Sequence, residues 1–142
     1  MSEQQDKSTP PRVGIVLVSH SKEVADSVAR LAIGLAAGRD SAPVAGAGGG
    51  PDGGLGTSAE LISSAAHRVE NGAGVAVLVD LGSAVLTVKV LLAEGDDLPE
   101  NSRLVDAPLV EGAIAAVVAS AGGADLETVA AAAEEAYHFR KL

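Results

Sequence analysis

Short uncharged runs rich in β-branched residues alternate along the chain with longer stretches in which apolar residues return every three or four positions. Val13-Gly14-Ile15-Val16-Leu17-Val18 carries no charge and reads as a strand buried on both faces. Ser19-His20-Ser21 follows, and then Val24, Val28, Leu31 and Leu35 recur at helical spacing until Gly38 closes the helix. Ala42 to Ala47 is a second short strand, and Gly46 to Gly56 is a glycine-rich loop. Thr57-Ser58 caps a second helix with Leu61, Ile62, Ala65 and Val69 on one face, ended by Asn71-Gly72. Val75 to Val79 is the clearest strand in the chain. Asp80-Leu81-Gly82-Ser83 is a sharp turn, and Ser83 caps a third helix that runs through Leu86, Val90 and Leu91 to Gly95. Arg103 to Asp106 is a short strand ended by Pro108; Leu109 to Ala121 reads as a helix, broken at Gly122-Gly123. Leu126 to Tyr137 is a last, alanine-rich helix.

The order is βαβαβαβα. Such alternation implies an α/β fold: a doubly wound, mainly parallel sheet of four strands, with room for a fifth, flanked by helices. Residues 1–11, polar and ending in Pro10-Pro11, read as a disordered lead-in, and 12–142 as a single domain.

Composition narrows the function classes. The chain has 142 residues, is 47% hydrophobic and contains no cysteine, so disulfides and thiolate metal sites are excluded. Tyr137 and Phe139 are its only aromatic residues. With no stacking platform and a net charge of −9, the chain is not built to bind nucleic acid. No uncharged stretch reaches the ~18–20 residues that cross a bilayer; the longest apolar candidate, Gly112 to Ala124, falls short. Met1 to Arg12 has no apolar core of the kind a secretory signal needs. The expectation is a soluble, cytoplasmic protein.

Parallel sheets bind ligands beyond the carboxyl ends of their strands. There the first strand delivers Ser19-His20-Ser21, the second the glycine-rich loop and Thr57, the third Asp80, Gly82 and Ser83, and the fourth Pro108 and Glu111. If strands one and three are neighbours, His20 and Asp80 touch. A carboxylate that holds one imidazole N–H fixes the tautomer and leaves the other nitrogen nucleophilic. It also stabilises the positive charge that develops on attack. Helices begin after His20 and after Gly82, and their free N–H groups suit a phosphate. The competing reading has His20 capping a helix and Asp80 forming an Asx turn.

Other patterns carry less. Gly48-x-Gly50-x-x-Gly53 matches a dinucleotide fingerprint, but it follows the second strand and lies in a run where many patterns match by chance. No P-loop lysine motif is present. Ser83, His20 and Asp80 could form a hydrolase triad, yet no Gly-x-Ser-x-Gly elbow accompanies them. His67 and His138 have no partners at metal-ligand spacing, and no metal site is expected.

Taken in order, Val18-Ser19-His20-Ser21, Gly56-Thr57, Asp80-Leu81-Gly82-Ser83-Ala84, Ala107-Pro108-Leu109-Val110-Glu111-Gly112 and Gly123-Ala124-Asp125-Leu126 resemble the DhaM family, the phosphoryl-donor subunits of bacterial PEP-dependent dihydroxyacetone kinases. The likeness covers about residues 12–130. It implies the mannose-class IIA (EIIA) fold of the sugar phosphotransferase system, a homodimer, and a transient phosphohistidine on Nε2 of His20. Asp80 matches the carboxylate that supports the histidine. Ser21, Thr57, Gly82 and Ser83 match positions that line the phosphoryl site. In the family the group arrives from phospho-HPr and leaves to ADP, with magnesium, on the DhaL subunit, for dihydroxyacetone held by DhaK. The resemblance thus implies a phosphotransferase component with no cofactor of its own. Some family members carry fused HPr-like and enzyme-I-like domains; these 142 residues hold neither, so a separate HPr is expected.

Charge agrees with a carrier: at −9 the chain repels free anions such as PEP and attracts a basic protein surface. The alternatives are a mannose-class IIA protein feeding a sugar permease, a non-catalytic nucleotide-binding module using the glycine-rich loop, and an interaction domain in which His20 is dispensable.

Overall fold

The computed structural model describes residues 10–36 and 42–142. Most of the expected lead-in, and the expected helix stop at Gly38, lie outside the described residues. Four strands form one sheet: β1 (Gly14–Ser19), β2 (Val44–Gly48), β3 (Val75–Val79) and β4 (Ser102–Leu104). Their order is β2-β1-β3-β4, and every neighbouring pair is parallel. No fifth strand joins it among the described residues. The helices are α1 (Lys22–Leu35), α2 (Ala59–Val69), α3 (Gly82–Glu94), α4 (Leu109–Ala121) and α5 (Leu126–Glu135). The last helix is shorter than the sequence implies: after Glu135 the chain tightens into a 3-10 turn, Ala136–His138.

β1 is buried along its whole length, and its side chains alternate between two cores. Ile15 and Leu17 point into a layer filled by α1, α4 and α5; Val16 and Val18 point into one filled by α2 and α3. The chain leaves β1 for the outer strand β2, then crosses back to β3 on the other side of β1. Connections from β1 and β3 therefore run to opposite faces, through α1 and α3, and the gap between these two strands is the switch point where such sheets place their sites.

Two helix faces differ from the reading of their spacing: α2 buries Ala66 and leaves Leu61 exposed, and α1 departs further. On α1 the buried residues are Ala25, Val28, Ala29 and Ala32, whereas Val24, Leu31 and Leu35 are 43%, 45% and 60% exposed. Close approach decides this. A Cβ on Gly46 of β2 would lie 2.9 Å from the Ala25 carbonyl carbon, and one on Gly48 would lie 2.7 Å from Lys22 Cα. Strand and helix pack backbone to backbone, so glycine on one side demands alanine on the other, and the larger residues turn outward. The same contact supports the turn that carries His20. Gly48→Ala is expected to destabilise the fold by about 1–3 kcal/mol, the usual cost of forcing an extra methyl into a packed interior. Gly34→Ala, on the same helix with nothing within 4 Å, should stabilise it by roughly 0.5–1 kcal/mol. Urea unfolding of the two variants checks both signs.

Candidate functional site

The ladder between β1 and β3 continues past its last strand pair. Val18 sits opposite Val79, and the Asp80 N–H donates to the Val18 carbonyl at 3.0 Å. This sets Asp80 beside Ser19 and His20. Three donors converge on its carboxylate. Oδ2 accepts from the Ser19 hydroxyl at 2.9 Å and from the His20 backbone N–H at 3.0 Å; Oδ1 lies 3.0 Å from His20 Nδ1. Burial pushes the Asp80 carboxyl up, but the bonds from the His20 backbone, the His20 ring and the Ser19 hydroxyl outweigh it and hold it below the ordinary aspartate range.

An ionised carboxylate only accepts hydrogen bonds, so the proton of the neutral imidazole sits on Nδ1. Nε2 then carries an unshared pair. The Ser83 hydroxyl, 2.6 Å away, donates to it. The His20 side chain is 25% exposed and that of Asp80 18%. The ring is thus anchored at one nitrogen and approachable at the other.

Of the other candidates, Gly82 opens α3, which no side chain caps: its N-cap residue is Leu81. Ser83 is not the cap expected of it: the helix starts one residue earlier, at Gly82, and the Ser83 hydroxyl meets His20 instead. The bare first turn of α3 offers N–H groups suited to an anion. Ser21 does act as a cap, accepting from the Val24 N–H at 3.3 Å, and its own N–H donates to Ser19 Oγ at 3.1 Å. Its hydroxyl oxygen thus caps α1, and no bond from it to the imidazole is formed. Thr57 meets Thr87, with the two Oγ1 atoms 3.0 Å apart.

Neither helix capping by His20 nor an Asx turn at Asp80 is what the side chains do. Ser83, His20 and Asp80 stand in the order of a hydrolase triad. However, the Ala84 N–H, which an elbow would turn toward an oxyanion, donates to the Leu81 carbonyl at 3.0 Å. Three donors of the glycine-rich loop are spent within it. Gly50 N–H bonds Gly54 O at 2.8 Å, Gly53 N–H bonds Gly50 O at 3.0 Å, and Gly54 N–H bonds Asp52 Oδ1 at 3.0 Å. Gly56 N–H reaches back to the His20 carbonyl at 2.9 Å. The loop braces His20 instead of presenting a phosphate cradle. Lys22 is held by Asp26 at 2.6 Å. Two participants were not singled out from the sequence. Ser19 is 1% exposed, at the strand end facing the carboxylate, and Thr87 lies one helical turn after Ser83.

A family model for the PTS system fructose IIA component matches residues 14–130. The chain is 35% identical over 109 residues to "PEP-dependent dihydroxyacetone kinase 2, phosphoryl donor subunit DhaM" of Listeria innocua, covering 76% of this chain and 86% of that one. The chain belongs to the DhaM family. Another member, the DhaM of Pantoea ananatis, is 39% identical over 120 residues that cover 82% of this chain; the chain spans 25% of that longer protein. The crystal structure of a protein of unknown function, EF1359, superposes with a TM-score of 0.79 at 30% identity, covering 92% of this chain and 98% of that one. The four-stranded parallel sheet with its helices is the fold expected of the family. No helix among the described residues is long and apolar enough to cross a membrane.

Proposed function

We propose that this DhaM-family chain carries a phosphoryl group on Nε2 of His20, taking it from phospho-HPr and passing it to ADP on a DhaL subunit for phosphorylation of dihydroxyacetone held by DhaK. The observation that carries the reading is the anchoring of Nδ1 by Asp80, which leaves Nε2 with a lone pair beside the uncapped start of α3. In the uptake step that lone pair forms the N–P bond. The bond from phosphorus to the donor breaks, and its electron pair stays on the donor. Positive charge grows on the imidazole, and Asp80 compensates it from the Nδ1 side. The Ser83 hydroxyl swings off Nε2 and donates to a phosphoryl oxygen, as do first-turn N–H groups of α3. Onward transfer reverses these roles. The residues that hold the group are neutral donors, a modest grip that keeps the next transfer fast. No metal or cofactor on this chain is required; magnesium and nucleotide would belong to the partner.

The outward stripe of α1, Val24, Leu31 and Leu35, supports a homodimer by offering apolar surface for a second copy to cover. Purified protein incubated with radiolabelled PEP, enzyme I and HPr should take up acid-labile, alkali-stable label. Adding DhaL with ADP, DhaK and dihydroxyacetone should discharge it into dihydroxyacetone phosphate. No label, with enzyme I and HPr shown active on another acceptor, would overturn the carrier reading. Label that discharges only into a sugar permease would overturn the dihydroxyacetone assignment.

A further inference from the structure

We propose that Thr87 is a positioning residue for phosphoryl transfer, acting through the hydroxyl of Thr57; the proposal rests on the carrier reading above. Two segments close on His20 from opposite sides. The loop after β2 reaches its carbonyl through the Gly56 N–H at 2.9 Å, and the first turn of α3 reaches its Nε2 through Ser83 at 2.6 Å. The Thr57–Thr87 bond, 3.0 Å and part-buried, ties these segments to each other. Thr57 is the residue next to Gly56, and Thr87 lies four residues after Ser83, one helical turn along. A shift at this bond therefore moves both the group that holds the His20 backbone and the hydroxyl that meets its Nε2.

Proton bookkeeping gives the pair two settings. Each threonine hydroxyl has one hydrogen to give. Thr87 has two acceptors in reach: Thr57 Oγ1 at 3.0 Å, and its own helix's Ser83 carbonyl at 3.5 Å. The second is at the limit of a hydrogen bond and holds the hydrogen poorly. With Nε2 bare, Thr57 gives its hydrogen to Thr87 and Thr87 gives its own to the Ser83 carbonyl, so both hydrogens are placed. Because that last bond is weak the pair turns over readily, and Thr87 then gives its hydrogen to Thr57 and frees the Thr57 hydrogen. A phosphoryl group on Nε2 brings surplus acceptors to the mouth of this pair. Thr57 donates outward while Thr87 fills its lone pair from behind, and the two hydroxyls act as one donor. Sequence reading picked out Thr57 alone; its partner sits mid-helix with no motif to mark it.

The test compares single-turnover uptake from phospho-HPr in wild type, Thr87→Val, Thr87→Ser, Thr57→Val and the double valine variant, with melting temperatures to confirm folding. Thr87→Val keeps the shape and removes the hydroxyl. It should lower the maximal transfer rate roughly tenfold, the scale of one oriented hydrogen bond, without changing the phospho-HPr concentration at half-maximal rate. Thr87→Ser should restore the rate. The double variant should be no slower than Thr57→Val, because Thr87 works through that residue. A Thr87→Val rate equal to wild type would overturn the proposal. So would losses that multiply in the double variant, or a serine variant as slow as the valine one, which would assign Thr87 to packing. Wild type that takes no label would remove the carrier reading itself; wild type that labels alongside an undiminished Thr87→Val removes this inference alone.

Discussion

Replacing His20 by alanine should abolish phosphoryl uptake and leave the fold standing. The ring contributes two hydrogen bonds, to Asp80 and Ser83, at the solvent edge of the sheet. Asp80 keeps its other two donors, because one is the Ser19 hydroxyl and the other is the backbone N–H of residue 20, which alanine also has. The cost in stability should therefore be about 1–2 kcal/mol, the scale of two exposed net hydrogen bonds. The loss in function should be complete, since no other imidazole nitrogen occupies that position. Gel autoradiography of the variant beside wild type, with circular dichroism on the same samples, measures both. Retained label in the alanine variant would move the acceptor to another residue, and His67 and His138 would be mapped next.

Asp80→Asn should be the second-largest loss, on the order of 10³–10⁴ in transfer rate, the scale seen when a buried histidine is forced into the wrong tautomer. The reason lies in the count of donors. The carboxylate receives three N–H or O–H groups and no acceptor faces it. An amide must turn its NH₂ toward one side. Toward Ser19 and the His20 backbone it meets a fixed N–H. Toward the ring it finds a nitrogen able to give up its hydrogen. The second arrangement wins, and the proton moves to Nε2, where it blocks attack. The same substitution alters the acid limb of stability. Because the Asp80 carboxyl titrates below the ordinary aspartate range in the fold, its contribution is complete above about pH 4 and is lost as pH falls through the lowered value. Wild type should show that decline in a pH series of urea midpoints, and Asp80→Asn should lack it. A variant that transfers at the wild-type rate would show that the tautomer is not set from this side.

Much of the architecture was legible because buried parallel strands carry no charge. Val13 to Val18 and Val75 to Val79 announce themselves, and their ends locate His20 and Asp80 before any coordinate is known. Spacing alone does not reveal the inner face of α1. It ranks burial by side-chain size, and here the limit is the distance between two backbones; Gly46 and Gly48, facing the helix from β2, were the sign of it. Ser83 was misjudged for another reason. A hydroxyl at a helix start can serve the helix or a neighbour, and only the meeting of β1 with β3 shows which. Ser19 and Thr87 escaped notice because each is an ordinary residue within its own element and gains its role from a residue more than two dozen positions away.

The two cores on either side of the sheet give the site an unusual dependence. The backbone that holds His20 runs directly into α1 and one layer; the backbone that holds Asp80 runs into α3 and the other. The imidazole–carboxylate pair is a seam stitched across both. Fraying of either layer draws one partner away from the other, whichever layer opens first. On the proposed carrier function, competence is set by the weaker of the two halves, and exchange of the amide hydrogens of α1 and α3 would track the fraction of molecules able to accept a phosphoryl group.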